Sequence, residues 1–139
     1  MRGIWSIHPG WGITAVRIAM GIIFLVAGWQ KVSGGLDGLA AAFAKMGIPV
    51  PGLAGPFVAV LELVGGALLI LGLGARWLGL LFAIEFVVAT LYVKMPMGWG
   101  GARLDVMLLA GGLLLFLAGS GRAAVDEVWL EKGDVVGRR

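Results

Sequence analysis

Four long apolar runs dominate this chain, and between them they leave few folds open. Residues 13–32, 57–74, 77–93 and 104–118 are apolar almost throughout. A helix of about 20 such residues matches the hydrocarbon thickness of a bilayer. Lipid offers no partner to a backbone N–H or C=O, so a single apolar segment crossing it must bond to itself as a helix. Sixty per cent of the 139 residues are AVILMFWYC and 14% are charged. That is too little polar surface to coat a soluble domain. The sequence predicts an all-α membrane protein, an antiparallel bundle of four transmembrane helices. The bundle takes residues 1–120, and a polar cytoplasmic tail takes 121–139.

The runs differ at their ends. "MRGIWSIHPGWG" reads as an interfacial lead-in, with Trp5 and Trp11 at headgroup depth. The first run is too long for the apolar core of a signal peptide and is read as a retained span. Pro56 stands just before the second run, a favoured place at a helix start. Only Ala75 and Arg76 part the second run from the third, which predicts a tight hairpin. The fourth run is short and needs residues 101–103 and 119–120 to complete a span. Between spans one and two, "LDGLAAAFAKMG" carries apolar residues at 36, 39, 40, 43 and 46, a helical stripe that "IPVPG" then breaks. A short interfacial helix is expected there. The tail is expected to begin with a small amphipathic helix.

An even number of spans puts both termini on one side. Arg2, Arg17, Arg76, Arg122, Lys132, Arg138 and Arg139 fall on that side, against Lys31, Lys45, Lys94 and Arg103 on the other. Basic residues favour the cytoplasm, so both termini are expected there.

Several chemistries drop out. The chain has no Cys, which removes thiol–disulfide exchange and cysteine-held clusters. Its one histidine, His8, lies outside the spans, so haem ligation within the bundle is not expected. Met95 and Met97 flank Pro96 as an interfacial turn, and no metal site is expected. The net charge of +3 is scattered, which offers nucleic acid no basic stripe.

The charges within the spans remain. Arg17, Gly21, Phe24, Gly28 and Lys31 follow a 4-3-4-3 spacing, one face of a helix. Glu62, Gly65, Leu69, Gly72 and Arg76 follow 3-4-3-4 in the second span. An antiparallel pair of these faces brings Lys31 to Glu62 at the outer side and Arg17 towards Arg76 at the cytoplasmic side. Lys94, Arg103 and Asp105 fall at the outer side too. Two readings stand for these groups. Arg17, Arg76 and Arg103 can snorkel to headgroups, and Lys31–Glu62 can be a purely structural ion pair. Alternatively they face inward as a working cluster. Glu85 is too deep in span three to snorkel, and a charge there is costly. It must face protein, with Arg17 the best internal partner, or lie at a subunit contact, or stay neutral on a backbone carbonyl.

At these residues the chain resembles the DoxX family of small four-span bacterial membrane proteins. The likeness is carried by "RIAMGIIFLVAGWQK" (17–31), "ELVGGALLILGLGAR" (62–76) and "GSGRAAVD" (119–126), and spans residues 13–126. The family pattern falls on Arg17, Gly28, Lys31, Glu62, Gly65, Gly66, Gly72 and Asp126. Glu85 and the Arg103/Asp105 pair depart from it. The resemblance implies a bacterial inner-membrane protein in a redox assembly, since some relatives are membrane subunits of quinone-linked oxidoreductases. On that reading Glu62, Glu85 and Lys31 are the candidate catalytic groups, exchanging protons with a non-covalently held quinone. The other readings are a non-catalytic scaffold subunit and a small-solute or proton pathway. Expected partners are the bilayer and other membrane subunits or a second copy.

Overall fold

A computed structural model describes residues 7–136, with the backbone alone at 130, 131 and 133–136. Arg2, Trp5, Arg138 and Arg139 lie outside the described residues. The chain is all-α. Its helices are α1 (Gly10–Ser33), α2 (Leu36–Lys45), α3 (Pro51–Leu71), α4 (Ala75–Ala89), α5 (Trp99–Ala118) and α6 (Val125–Val136). After α4 the backbone winds on through a π turn, Thr90–Lys94, and a 3-10 turn, Met95–Met97. Four helical segments, Gly10–Ser33, Pro51–Leu71, Ala75–Met97 and Trp99–Ala118, are long and apolar enough to cross a membrane. They alternate in direction, so the fold is the antiparallel four-span bundle that the apolar runs predict.

Three boundaries move from the sequence expectation. α3 starts at Pro51, and Pro56 lies inside it. Pro51 takes the first position, where its missing N–H costs nothing. Gly52 stands four residues before Pro56, where a proline ring presses on the preceding turn. The fourth span completes itself wholly at its start, from Trp99, and ends at Ala118. The lead-in is shorter, because α1 has already begun at Gly10.

Helix pairing follows the glycines. At Gly28 of α1 an added Cβ would fall 2.6 Å from Leu63 Cα of α3. At Gly66 of α3 it would fall 2.8 Å from the Gly21 carbonyl oxygen. These two backbones touch where no side chain intervenes. Gly79 of α4 and Gly112 of α5 meet in the same way. The bundle is therefore two close pairs, α1 with α3 and α4 with α5. Phe24 of α1 joins the pairs by stacking on Phe82 of α4, with centroids 3.7 Å apart and planes within 7°. α1 also meets α5, whereas α3 and α4 diverge from their short link at residues 72–74 and touch little. This corrects the tight hairpin: the link is tight, but the strongest backbone contacts of each helix lie with another partner. α2 lies along α3 and half-buries Leu39, Ala40 and Phe43.

Candidate functional site

The two ends of the bundle treat their charges differently. At the end that holds the start of α1, the segment after α5 folds back as a clasp. Arg17 is 1% exposed. Its guanidinium donates to the carbonyls of Ser120 and Arg122, and to that of Ala123 at 3.0 Å. Thr14 Oγ1 donates to the Arg122 carbonyl at 2.6 Å. The Asp126 carboxylate accepts from the N–H groups of Gly74 and Ala75, at 2.9 and 3.1 Å. It thereby caps the start of α4. Arg76 donates to the Phe116 and Leu117 carbonyls at the end of α5. Arg17 is thus no snorkelling cation: its partners are backbone carbonyls, and Arg76 holds neighbouring carbonyls of the same segment. A shallow hollow of about 650 Å³ borders this clasp. Its Arg76 and Asp126 are already engaged with backbone, which leaves them little to offer a ligand.

The other end holds the acidic groups. Lys31 Nζ donates to Glu62 Oε2, the one ion pair among the described residues. Glu62 is 4% exposed and Asp105 6%. Glu85 faces Glu62, with Lys31 and Asp105 near enough to act on its charge. This corrects its expected partner. Arg17 belongs to the clasp, and Glu85 turns to the Lys31–Glu62 pair because α4 presents that face to the gap beside α3. Three side-chain oxygens here are buried without a hydrogen-bond partner: Glu85 Oε2, Asp105 Oδ2 and Thr90 Oγ1. Thr90 opens the π turn, a feature that often marks functional positions and one that no local sequence pattern announces.

A cavity of about 360 Å³ opens onto this cluster, where α3 and α4 diverge. Lys31, Glu62, Glu85, Lys94 and Asp105 line it, and the rest of its wall is apolar. Phe43 and Met46 of α2 close it on one side. Arg103 is the expected outer cation that does not take part; it is exposed and lines no part of the cavity. Among the described residues no group of His, Cys, Asp and Glu is placed to hold a metal.

Comparison with known proteins fits this frame. The DoxX family profile matches residues 12–95. The chain belongs to the DoxX family. DoxX-type relatives include "Putative oxidoreductase CatD" of Bacillus subtilis, 35% identical over 83% of this chain and 84% of its own. "Inner membrane protein YqjF" of Escherichia coli is 31% identical over 87% of this chain and 94% of its own. "Uncharacterized membrane protein Rv3486" of Mycobacterium tuberculosis is 28% identical over 91% and 86%. No solved structure matches the chain. Of the positions that the family pattern picked, Lys31 and Glu62 form the ion pair and Arg17 and Asp126 build the clasp. Gly28 and Gly66 make the α1–α3 contact.

Proposed function

We propose that this DoxX protein is an inner-membrane subunit of a redox assembly that holds a quinone head group in the acid-lined cavity between α3 and α4. One observation carries the reading. Glu85 Oε2 and Asp105 Oδ2 are buried without partners on the wall of a mostly apolar cavity. Buried polar oxygens are costly unless something bonds to them. The hydroxyls of a quinol would supply donors, and the carbonyls of a quinone would accept from a protonated acid or from lysine. The donor set therefore fits the group. When bound, a quinone supplies two-electron, two-proton redox chemistry.

This chain's own residues would bind and handle protons. Lys31 pairs with Glu62 and fixes its carboxylate in place. Glu85, beside Glu62 on the cavity wall, is placed to exchange a proton with a bound head group. Asp105 and Lys94 line the same cavity and are further groups able to pass a proton. Electrons must come from a partner subunit, because the chain has no cysteine to hold a cluster. The oxidoreductase name of the Bacillus subtilis relative and the inner-membrane names of those from Escherichia coli support the assignment. The excess of basic residues, seven against four, supports a topology with both termini in the cytoplasm.

The test is extraction from native membrane in mild detergent, followed by mass spectrometry of bound lipids and companion proteins. A quinone near one per chain, lost in Glu85→Gln together with Asp105→Asn, is the expected result. A complex without quinone, unaffected by either substitution, would instead make the chain a packing subunit held by its Lys31–Glu62 pair.

A further inference from the structure

The cavity is closed on three sides and open on the fourth. α1 lies against α3, α5 against α4, and α1 meets α5, so three seams of the bundle are packed. The fourth seam, α3 against α4, closes only where Gly65 meets Leu78 and Phe82 and opens beyond them towards the α2 end. Its facing residues repeat with helical spacing: Phe57, Val58 and Leu61 on α3, and Leu81, Ile84 and Val88 on α4. All six are apolar, and Phe57, Leu81, Ile84 and Val88 are exposed at 57, 41, 54 and 37%. One helical turn past Val58 and Leu81 on the same faces stand Glu62 and Glu85. Asp105, 6% exposed, adds an unpartnered oxygen to this inner wall. The gap thus grades inward, from an exposed apolar mouth on the outside of the bundle to buried acidic oxygens within it. A water-borne solute would have no reason to find such a mouth, since both helices are lipid-crossing at this height.

We infer that the ligand of this site reaches it sideways from the bilayer, through the gap between α3 and α4, and is a long-chain amphiphile whose apolar chain stays between Phe57, Leu61, Ile84 and Val88 while its oxygen-bearing head meets Glu85 and Asp105. This rests on the reading of the cavity as a head-group site and adds to it the access route and the need for a chain. α2 contributes Phe43 and Met46 at the end of the cavity where α3 begins, so access from that end is covered by side chains and the membrane side is the open one.

The test uses the full chain in lipid nanodiscs, with native mass spectrometry reading bound ligand. The probes are decylubiquinone, the same quinone without its chain, and dodecanoic acid. Ile84→Trp fills the mouth without touching the acids, and Val88→Trp serves if that variant does not fold. Overfilling a fitted apolar site should weaken binding of the chain-bearing quinone about tenfold. The chainless quinone should be held equally by wild type and variant. Loss of neither quinone overturns lateral access, and equal loss of both overturns the seat of the chain between Phe57, Leu61, Ile84 and Val88; either leaves the quinone reading standing. Binding of dodecanoic acid but neither quinone, abolished by Ile84→Trp, keeps lateral access and overturns the quinone. Retention of bilayer phospholipid alone, or no bound probe at all, overturns both.

Discussion

Removing the two partners of the Lys31–Glu62 pair one at a time should not cost the same. Glu62 is 6% exposed in its side chain and Lys31 27%. Lys31→Met strands a buried carboxylate that already faces Glu85 and lies near Asp105. Stranding a buried charge costs about 3 kcal/mol at the low end of its usual range, and this site has no second cation as close. Glu62→Gln leaves a half-exposed ammonium on a long flexible stem, free to turn to water or to Glu85, and it relieves carboxylate crowding. Its cost should be about 1 kcal/mol, nearer that of an exposed pair. The double variant removes both charges and should cost no more than Lys31→Met alone, a coupling of about 1–2 kcal/mol. Reversible unfolding in mixed micelles, followed by far-ultraviolet circular dichroism, measures all three. Glu62→Gln costing as much as Lys31→Met, or strict additivity, would refute the argument, because it would mean that burial of the carboxylate does not set the cost.

The clasp makes its own predictions. Arg17→Met removes the donors to Ser120 and Ala123 and should cost about 2 kcal/mol, roughly thirtyfold in the opening of residues 119–126; trypsin cleavage at Arg122 reads this, and an unchanged rate would contradict it. Asp126→Ala should cost about 1 kcal/mol as a lost helix cap, with Asp126→Asn recovering part of it in the same unfolding assay. Gly28→Ala puts a Cβ 2.6 Å from Leu63 Cα and should destabilise the chain by about 1–3 kcal/mol. Gly12→Ala on the same helix meets nothing within 4 Å and should be neutral or mildly stabilising; equal effects at the two positions would undo the close-contact account of helix pairing.

The spans were legible because bilayer thickness writes itself into the length of apolar runs, and the Lys31–Glu62 pair because two 3-4 stripes in an antiparallel pair have only one sensible register. The gap between α3 and α4 was not. Sequence adjacency suggests a hairpin, but the partner of a helix is chosen by backbone contact, and glycines at 28, 66, 79 and 112 tie α3 to α1 and α4 to α5. A glycine's spacing shows which face it occupies, not which helix will come to that face. Glu85 was legible as a group needing company, while its partner depended on the rotation of α4, which no local pattern carries. Arg17 bonds to carbonyls more than a hundred residues away, in a stretch whose Gly-Ser-Gly-Arg composition looks like the start of a free tail. Backbone acceptors leave no mark in side-chain sequence.

The most direct test of the quinone site is photolabelling. An azido-quinone carrying a long alkyl chain would be illuminated with the protein in native membrane vesicles, and the labelled peptides sequenced by mass spectrometry. The account predicts label within residues 54–62 of α3 and within 81–93, on α4 and the π turn after it, the two walls of the cavity, displaced by unlabelled quinone and reduced in Glu85→Gln. Label spread over the outer faces of the four spans, insensitive to competitor and to Glu85→Gln, would show that this cavity holds no quinone.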